Sequence, residues 1–168
     1  MRIIVSDSSC LIDLRKASLL AAFLQLPYEI LIPNTLFEEE LLRFTDEDRA
    51  LLGSALKVMD LPGESVLRAQ QVARDLPHLS IHDGFAFALA EDNPGCILLT
   101  GDAGLRDLAG KHEITVHGVL WVIDEIYANT LAGVEDILTA LRLFAEDVTV
   151  RLPRRSLAVY IKRYESRG

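Results

Sequence analysis

Residues 3–13, IIVSDSSCLID, show the pattern on which the fold assignment depends. Three apolar residues lead into Ser6 and Asp7, and an apolar stretch resumes after two further serines. This pattern predicts a short buried strand that ends at an aspartate, followed at once by a helix. Asp7 could be a helix cap or half of a functional site, because aspartate serves both purposes. The rest of the chain must show whether this acid has partners.

Apolar, strand-like segments alternate with helix-like segments along the whole chain. Strands are predicted at RIIVSD, YEILIP, LKVMDLP, GCILLTGD, EITVHG and VTVRLP, and residues 8–26 and 34–44 each resemble one helix. Strands that are apolar throughout are typical of a parallel sheet covered on both faces. The predicted fold class is therefore α/β, with a parallel sheet flanked by helices. Its working site should lie beyond the carboxyl ends of the strands.

Composition and charge limit the classes of function that this protein could have. The chain has 168 residues, half of them hydrophobic, and a net charge of −8, which predicts one globular domain. Residues 1–150 carry a net charge of −13, whereas residues 151–168 carry six basic residues and one acidic residue. The acidic body argues against binding nucleic acid by charge alone but is compatible with binding through metal ions. The basic tail is either a phosphate or partner contact or a solvated helix face.

Neither a membrane span nor a disulfide framework is expected. No apolar run approaches the length of a membrane helix, and the N-terminus lacks the features of a secretory signal. Cys10 and Cys96 lie far apart in apolar segments without metal-ligand spacing. We expect reduced, buried thiols in a cytoplasmic protein.

Four acids stand at places where a parallel sheet could bring them together. Asp7 follows the first strand, Asp102 follows GCILLT, and Asp83 opens the helix before that strand. Glu39 lies in the helix after the second strand. Each also has a structural interpretation, since the aspartates are natural N-caps and Glu39 belongs to a run of three glutamates. Clustered carboxylates favour a hard cation, Mg²⁺ or Mn²⁺, and such ions support phosphodiester cleavage.

The segments VSDSSCLIDL, IPNTLFEEELL, LSIHDGFAFALAE and LLTGDAGLRDLAG resemble, in order, the four acidic motifs of PIN-domain nucleases. ITVHGVLWVIDEI resembles the segment that follows them, so the resemblance covers about residues 3–127. It implies a PIN-like three-layer fold, Mg²⁺ or Mn²⁺ as cofactor, and RNA as substrate. The family's order of motifs assigns Asp7, Glu39, Asp83 and Asp102 as catalytic acids, with the three aspartates as metal ligands.

The second acid is a choice among Glu38, Glu39 and Glu40. The resemblance favours Glu39, which lies six residues after Pro33 and three after Leu36. Supporting candidates are Ser9 and Thr100, which match small hydroxyls used beside the metal, and Asp107, for which a surface salt bridge is an equal alternative. Candidate contacts to RNA or a partner are the arginines of the tail, Arg151, Arg154 and Arg155.

The resulting hypothesis is a metal-dependent ribonuclease similar to VapC, the toxin of a toxin–antitoxin pair. An antitoxin protein is then the expected partner, and residues 11–26 could supply a homodimer interface. Residues 1–147 are predicted as the nuclease domain, and residues 148–168 as a C-terminal strand and basic helix packed on or extending from the same domain. Two alternatives remain. One is a catalytically silent PIN module that binds RNA or protein, and the other is an aspartyl-phosphate phosphotransferase. The second is less favoured, because such an enzyme needs a second aspartate at the position of Ser9.

Overall fold

The structure is a computed structural model that describes residues 1–168. It contains one sheet of five strands, all parallel, in the order β3-β2-β1-β4-β5. The strands are β1 (Ile3–Ser6), β2 (Glu29–Pro33), β3 (Lys57–Met59), β4 (Ile97–Leu99) and β5 (Thr115–His117). The central strand is β1, where Val5 pairs with Leu31 of β2 and Leu98 of β4.

Ten helices connect and cover these strands. They are α1 (Ser8–Lys16), α2 (Leu20–Leu24), α3 (Asn34–Glu39), α4 (Asp46–Ala55), α5 (Gly63–Asp75), α6 (Ile81–Glu91), α7 (Ala103–Lys111), α8 (Val119–Ala128), α9 (Val134–Glu146) and α10 (Arg154–Glu165). None of them is both long and apolar enough to cross a membrane.

Alternate residues of the three central strands, β2, β1 and β4, enter two different cores. Ile4 and Leu99 belong to the larger core, which the α1–α4 and α8–α10 helices complete. Val5, Leu31 and Leu98 belong to the smaller core, beneath α5, α6 and α7. Because successive strand residues point to opposite faces, the two cores lie on opposite sides of the sheet. The predicted α/β fold with a parallel sheet between two layers of helices is confirmed.

The predicted helix over residues 8–26 is two helices. After Lys16 the chain turns through Ser18, whose φ is 57°, and the Leu19 amide donates to the Leu14 carbonyl at 2.9 Å. These features form a Schellman-type end without the usual glycine, stabilised by the burial of Leu14 and Leu19. Most apolar residues of this segment pack in the chain's own core, and a homodimer interface from residues 11–26 stays a prediction.

Two further boundaries differ from the prediction. The helix expected over residues 34–44 ends at Glu39, and a separate helix, α4, begins after Thr45, whose hydroxyl accepts from the Asp48 amide at 3.1 Å. No strand forms at VTVRLP, so the predicted C-terminal strand is wrong. Asp147 accepts from the Thr149 amide at 2.8 Å, and this turn leaves Val148 93% exposed.

The C-terminal helix packs on the rest of the chain. Leu157 and Tyr164 of α10 are buried in the larger core. Asp124 of α8 accepts hydrogen bonds from Tyr160 at 2.9 Å and Tyr164 at 2.7 Å. The division of the chain at residue 147 stays a prediction. Cys10 and Cys96 are free and buried, as expected.

Candidate active site

The sheet places two of the predicted acids at neighbouring strand ends. Asp7 follows β1, and its amide donates to the Leu99 carbonyl of β4 at 3.0 Å. The chain continues from Leu99 to Thr100, whose amide donates to the His117 carbonyl of β5 at 3.0 Å, and then to Asp102. Both acids therefore lie at the carboxyl edge of the sheet, where sites of parallel α/β folds are found.

Asp7 is buried among neutral donors. Only 6% of the residue is exposed. Its Oδ1 accepts from the Ser9 hydroxyl at 2.8 Å and from the Cys10 amide at 3.2 Å, and its Oδ2 accepts from the Thr100 hydroxyl. Asp7 is thus the N-cap of α1 and, at the same time, a buried acid of the sheet edge.

Burial raises the pKa of Asp7 to about 6. The hydrogen bonds from Thr100, Ser9 and Cys10 lower it, and the charge of Asp83 raises it further. Asp7 forms no ion pair with a lysine or arginine, and the charge of Asp83 adds to the effect of burial on its pKa. This buried carboxylate therefore lacks a positive partner within the chain, a situation that favours a bound cation.

In each of the remaining two aspartates, one carboxylate oxygen accepts a hydrogen bond from a backbone amide at a helix N-terminus. Asp102 Oδ1 accepts from the Leu105 amide at 2.8 Å, and the Asp102 amide donates to the Thr100 hydroxyl at 3.1 Å. Asp83 Oδ2 accepts from the Ser80 amide at 2.9 Å in a capping box. The N-cap interpretation is therefore correct for Asp7 and Asp102, whereas Asp83 is the third residue of α6 in a capping box whose N-cap is Ser80. Capping uses only part of Asp83 and Asp102. Their second oxygens have no hydrogen-bond donor in the chain.

The three candidate glutamates have different surroundings. Glu38 is exposed. The Glu39 side chain is 63% exposed and lies 3.2 Å from His82 Nε2. The Glu40 side chain is 31% exposed, and it accepts a hydrogen bond from the Ser8 hydroxyl at 3.0 Å. Ser8 directly follows Asp7, so Glu40 also reaches the turn that carries the first acid.

The supporting candidates separate into two groups. Ser9 and Thr100 both contact Asp7. Asp107 has no hydrogen bond to Asp7, and its side chain is 73% exposed and paired with Lys111 at 3.2 Å. The three arginines predicted to touch RNA are exposed and form no ion pair; they are Arg151, Arg154 and Arg155.

The donor set fits a hydrated divalent ion better than a fully enclosed one. No group of three or more His, Cys, Asp and Glu side chains could surround a single ion. Mg²⁺ is usually held by one or two carboxylates and keeps several waters. Asp83 and Asp102 each offer a free oxygen, and hard carboxylate oxygens suit Mg²⁺ or Mn²⁺.

Sequence reasoning missed the contacts of His82 and Ser8. His82 stands one residue before Asp83 and lies against both Glu39 and Glu40. A single histidine at a helix start has no ligand spacing, so no local signal marks it. The contact exists only because the fold brings the start of α6 to the end of α3.

Comparison with known proteins agrees with this architecture. The model of the family DUF3368, described as a PIN domain, matches residues 3–166. No curated protein matches the chain. The family match includes the four acids, the connecting helices and the whole of α10. With a five-stranded parallel sheet that carries acids at its carboxyl edge, the chain belongs to the PIN-domain family.

Proposed function

We propose that the chain is a divalent-metal-dependent ribonuclease that hydrolyses RNA phosphodiester bonds, with Asp7, Glu39, Asp83 and Asp102 as its acids. The main support for this proposal is the environment of the Asp7 carboxylate. It is a buried carboxylate at the carboxyl edge of the sheet, and its hydrogen-bond donors are all neutral. Membership of the PIN-domain family, whose members are generally nucleases, supports the same chemistry.

The chain's own groups would prepare the site for an ion. Thr100 and Ser9 hold the Asp7 carboxylate in one orientation and stabilise its charged form. Asp83 and Asp102 present the oxygens that their helix caps leave free. When bound, Mg²⁺ or Mn²⁺ supplies the positive charge that favours a hydroxide nucleophile and stabilises the leaving oxygen. We assign Asp7, Asp83 and Asp102 to metal binding, with at most two of them directly on any one ion and the remainder acting through its waters.

The basic tail is the proposed contact to RNA backbone or to a protein partner. Arg151, Arg154 and Arg155 are exposed and lack acidic partners, in a chain whose body is acidic. Arginine side chains of this kind bind phosphate without reading sequence. Their contribution would decrease with salt concentration.

The cellular setting that we propose is a toxin–antitoxin pair in which this chain is the toxin. The likeness of its acidic motifs to VapC supports this role, and an antitoxin segment would then cover the acidic edge. A homodimer remains part of the proposal, although the apolar residues of α1 and α2 mostly face the chain's own core.

A silent PIN module that only binds RNA or protein is the second candidate. The absence of a ready three-ligand cluster favours it. An aspartyl-phosphate mechanism has less support, because Asp7 is 6% exposed and both its oxygens already accept hydrogen bonds.

Cleavage of a mixed RNA pool tests the proposal. Purified protein would be assayed with Mg²⁺, Mn²⁺ or EDTA, together with Asp7→Asn and Asp102→Asn. The matched control is Asp136→Asn, because Asp136 is an exposed aspartate in the first turn of α9. We expect metal-dependent cleavage in wild type and control and none in the two site variants. RNA binding without turnover under every condition would favour the silent module.

A further inference from the structure

His82 lies between two glutamates of the neighbouring segment. Its Nε2 is 3.2 Å from Glu39 Oε2, and its Nδ1 is 3.6 Å from Glu40 Oε1. Nδ1 is buried without a hydrogen-bond partner, and the Phe85 ring packs edge-on against the imidazole at 6.1 Å. The imidazole therefore fills the space between the end of α3 and the first turn of α6.

The two glutamates are held by different groups. Glu40 accepts from the Ser8 hydroxyl at 3.0 Å and is thereby fixed to the turn after Asp7. For Glu39, His82 is the only polar side chain in contact. No other polar side chain of the protein holds Glu39. Without His82, the long, exposed side chain of Glu39 would therefore gain rotamer freedom in solvent.

We propose that His82 is a positioning residue that holds Glu39 beside Asp83 at the acidic edge. It acts through Glu39 and has no contact with the RNA. The effect on metal binding rests on the proposed function, whereas the effect on the position of Glu39 does not. Glu39 would act on the ion as a charge beside its ligand Asp83, and groups that support a metal ligand in this way typically contribute about 10-fold to 100-fold to metal affinity or activity.

Three substitutions of His82 test the roles of its two ring nitrogens one at a time. His82→Gln places an amide nitrogen near the position of Nε2, which faces Glu39. His82→Asn places one near Nδ1, which faces Glu40. His82→Phe keeps a ring against Phe85 and offers no donor. The matched control is His112→Phe, because His112 also lies beside a glutamate, Glu91 at 3.8 Å, and a phenylalanine, Phe87 at 5.2 Å, but at the end of α7.

The first measurement is the ¹³C chemical shift of the Glu39 and Glu40 carboxyl groups in metal-free protein. We expect the Glu39 signal to move in His82→Phe and His82→Asn and to return in His82→Gln. It should not move in the control. An unmoved Glu39 signal in His82→Phe, or equal recovery with Asn and Gln, would overturn the proposal.

The second measurement is calorimetric titration with Mg²⁺ and with Mn²⁺. We expect about 10-fold to 100-fold weaker binding in His82→Phe and His82→Asn, and affinity close to wild type in His82→Gln and the control. Equal weakening in the control would mean a general effect on the fold and would refute the positioning role. If wild type binds neither ion, the proposed function fails, and the carboxyl shifts still decide whether His82 positions Glu39.

Discussion

The hydroxyl of Thr100 donates a hydrogen bond to the carboxylate of Asp7, although the two residues are 93 positions apart in the chain. The same hydroxyl accepts from the Asp102 amide at 3.1 Å. One side chain at the end of β4 therefore fixes the acid of β1 and the start of α7. Because the donors to Asp7 are all neutral, they orient the carboxylate without cancelling its charge.

Thr100→Val should raise the pKa of Asp7 further. Valine has nearly the same shape but cannot donate the hydrogen bond that lowers this pKa. The free energy of unfolding should fall by about 1–3 kcal/mol, the usual effect of a lost hydrogen bond to a charged group. An NMR titration of the Asp7 carboxyl and urea unfolding would measure both. The control is Thr139→Val, whose hydroxyl bonds only to the Glu135 carbonyl of its own exposed helix face. An unchanged pKa of Asp7 would contradict the prediction.

Asp7→Asn should stabilise the metal-free protein at neutral pH. The pKa of Asp7 rises from 3.8 to about 6 on folding, so the folded chain keeps a proton in this range that the unfolded chain has lost. The free energy of unfolding of wild type therefore falls as pH rises from about 4 to about 6, and the loss persists above that range. Asparagine cannot ionise, and the gain at neutral pH should be up to about 3 kcal/mol.

Urea unfolding in EDTA over a series of pH values checks this prediction. The difference between variant and wild type should be largest near neutral pH and shrink toward pH 4. Burial also raises the pKa of Asp13 to about 6, so only the difference between the two proteins reports on Asp7. A difference that does not change with pH would contradict the assignment of the effect to this carboxyl.

Mg²⁺ should stabilise wild type and lose this effect in Asp102→Asn. An ion that binds only the folded chain raises the free energy of unfolding by about 2.7 kcal/mol at 100 times its Kd. Thermal unfolding with increasing Mg²⁺, reversed by EDTA, is the measurement. Asp136→Asn should respond as wild type does. Equal stabilisation of the Asp102 variant would mean that the ion binds elsewhere.

Much of the sheet and of the acidic edge follows from local sequence. The apolar runs at β1, β2 and β4 predicted buried parallel strands, because such strands need no polar face. Asp7 and Asp102 then had to share one edge, since both follow strands of the same direction. The choice between cap and site could not be made locally, and the structure shows why: Asp7 caps α1 and is also the buried acid.

Features that depend on tertiary contacts could not be predicted. The turn at Ser18 ends α1 without glycine because Leu14 and Leu19 are buried together. The contact of His82 with Glu39 depends on how the fold brings the start of α6 to the end of α3. VTVRLP has strand-like residues, but no neighbouring strand is available to pair with it, and Val148 is left in solvent.

Gly84→Ala should destabilise the fold strongly, because α5 and α6 approach each other closely at this glycine. A Cβ there would lie 2.6 Å from the Ala69 carbonyl oxygen, so the helices would have to move apart. Overpacking of this kind usually costs about 1–3 kcal/mol. The control is Gly53→Ala in α4, where a Cβ meets nothing within 4 Å, and there alanine should stabilise by about 0.5–1 kcal/mol. Urea unfolding of both variants tests this prediction. Changes of the same sign in their free energies of unfolding would contradict it.

Tyr164→Phe tests how the C-terminal helix is attached. Tyr164 is fully buried, and its hydroxyl donates to Asp124 at 2.7 Å. Removing the hydroxyl deprives that carboxylate of a donor and should lower the free energy of unfolding by about 1–3 kcal/mol. Tyr160→Phe, which removes the neighbouring and more exposed donor to the same carboxylate, should have a smaller effect.

Hydrogen exchange of the Tyr164→Phe variant shows which unit the tail belongs to. Because Leu157 and Tyr164 lie in the same core as β1, we expect α10 and the sheet to lose protection together, in one transition. Loss of protection confined to α10, with the sheet unchanged, would contradict this expectation. It would instead support the predicted division of the chain at residue 147, with the basic segment as a separable arm that could bind RNA or a partner independently of the acidic edge.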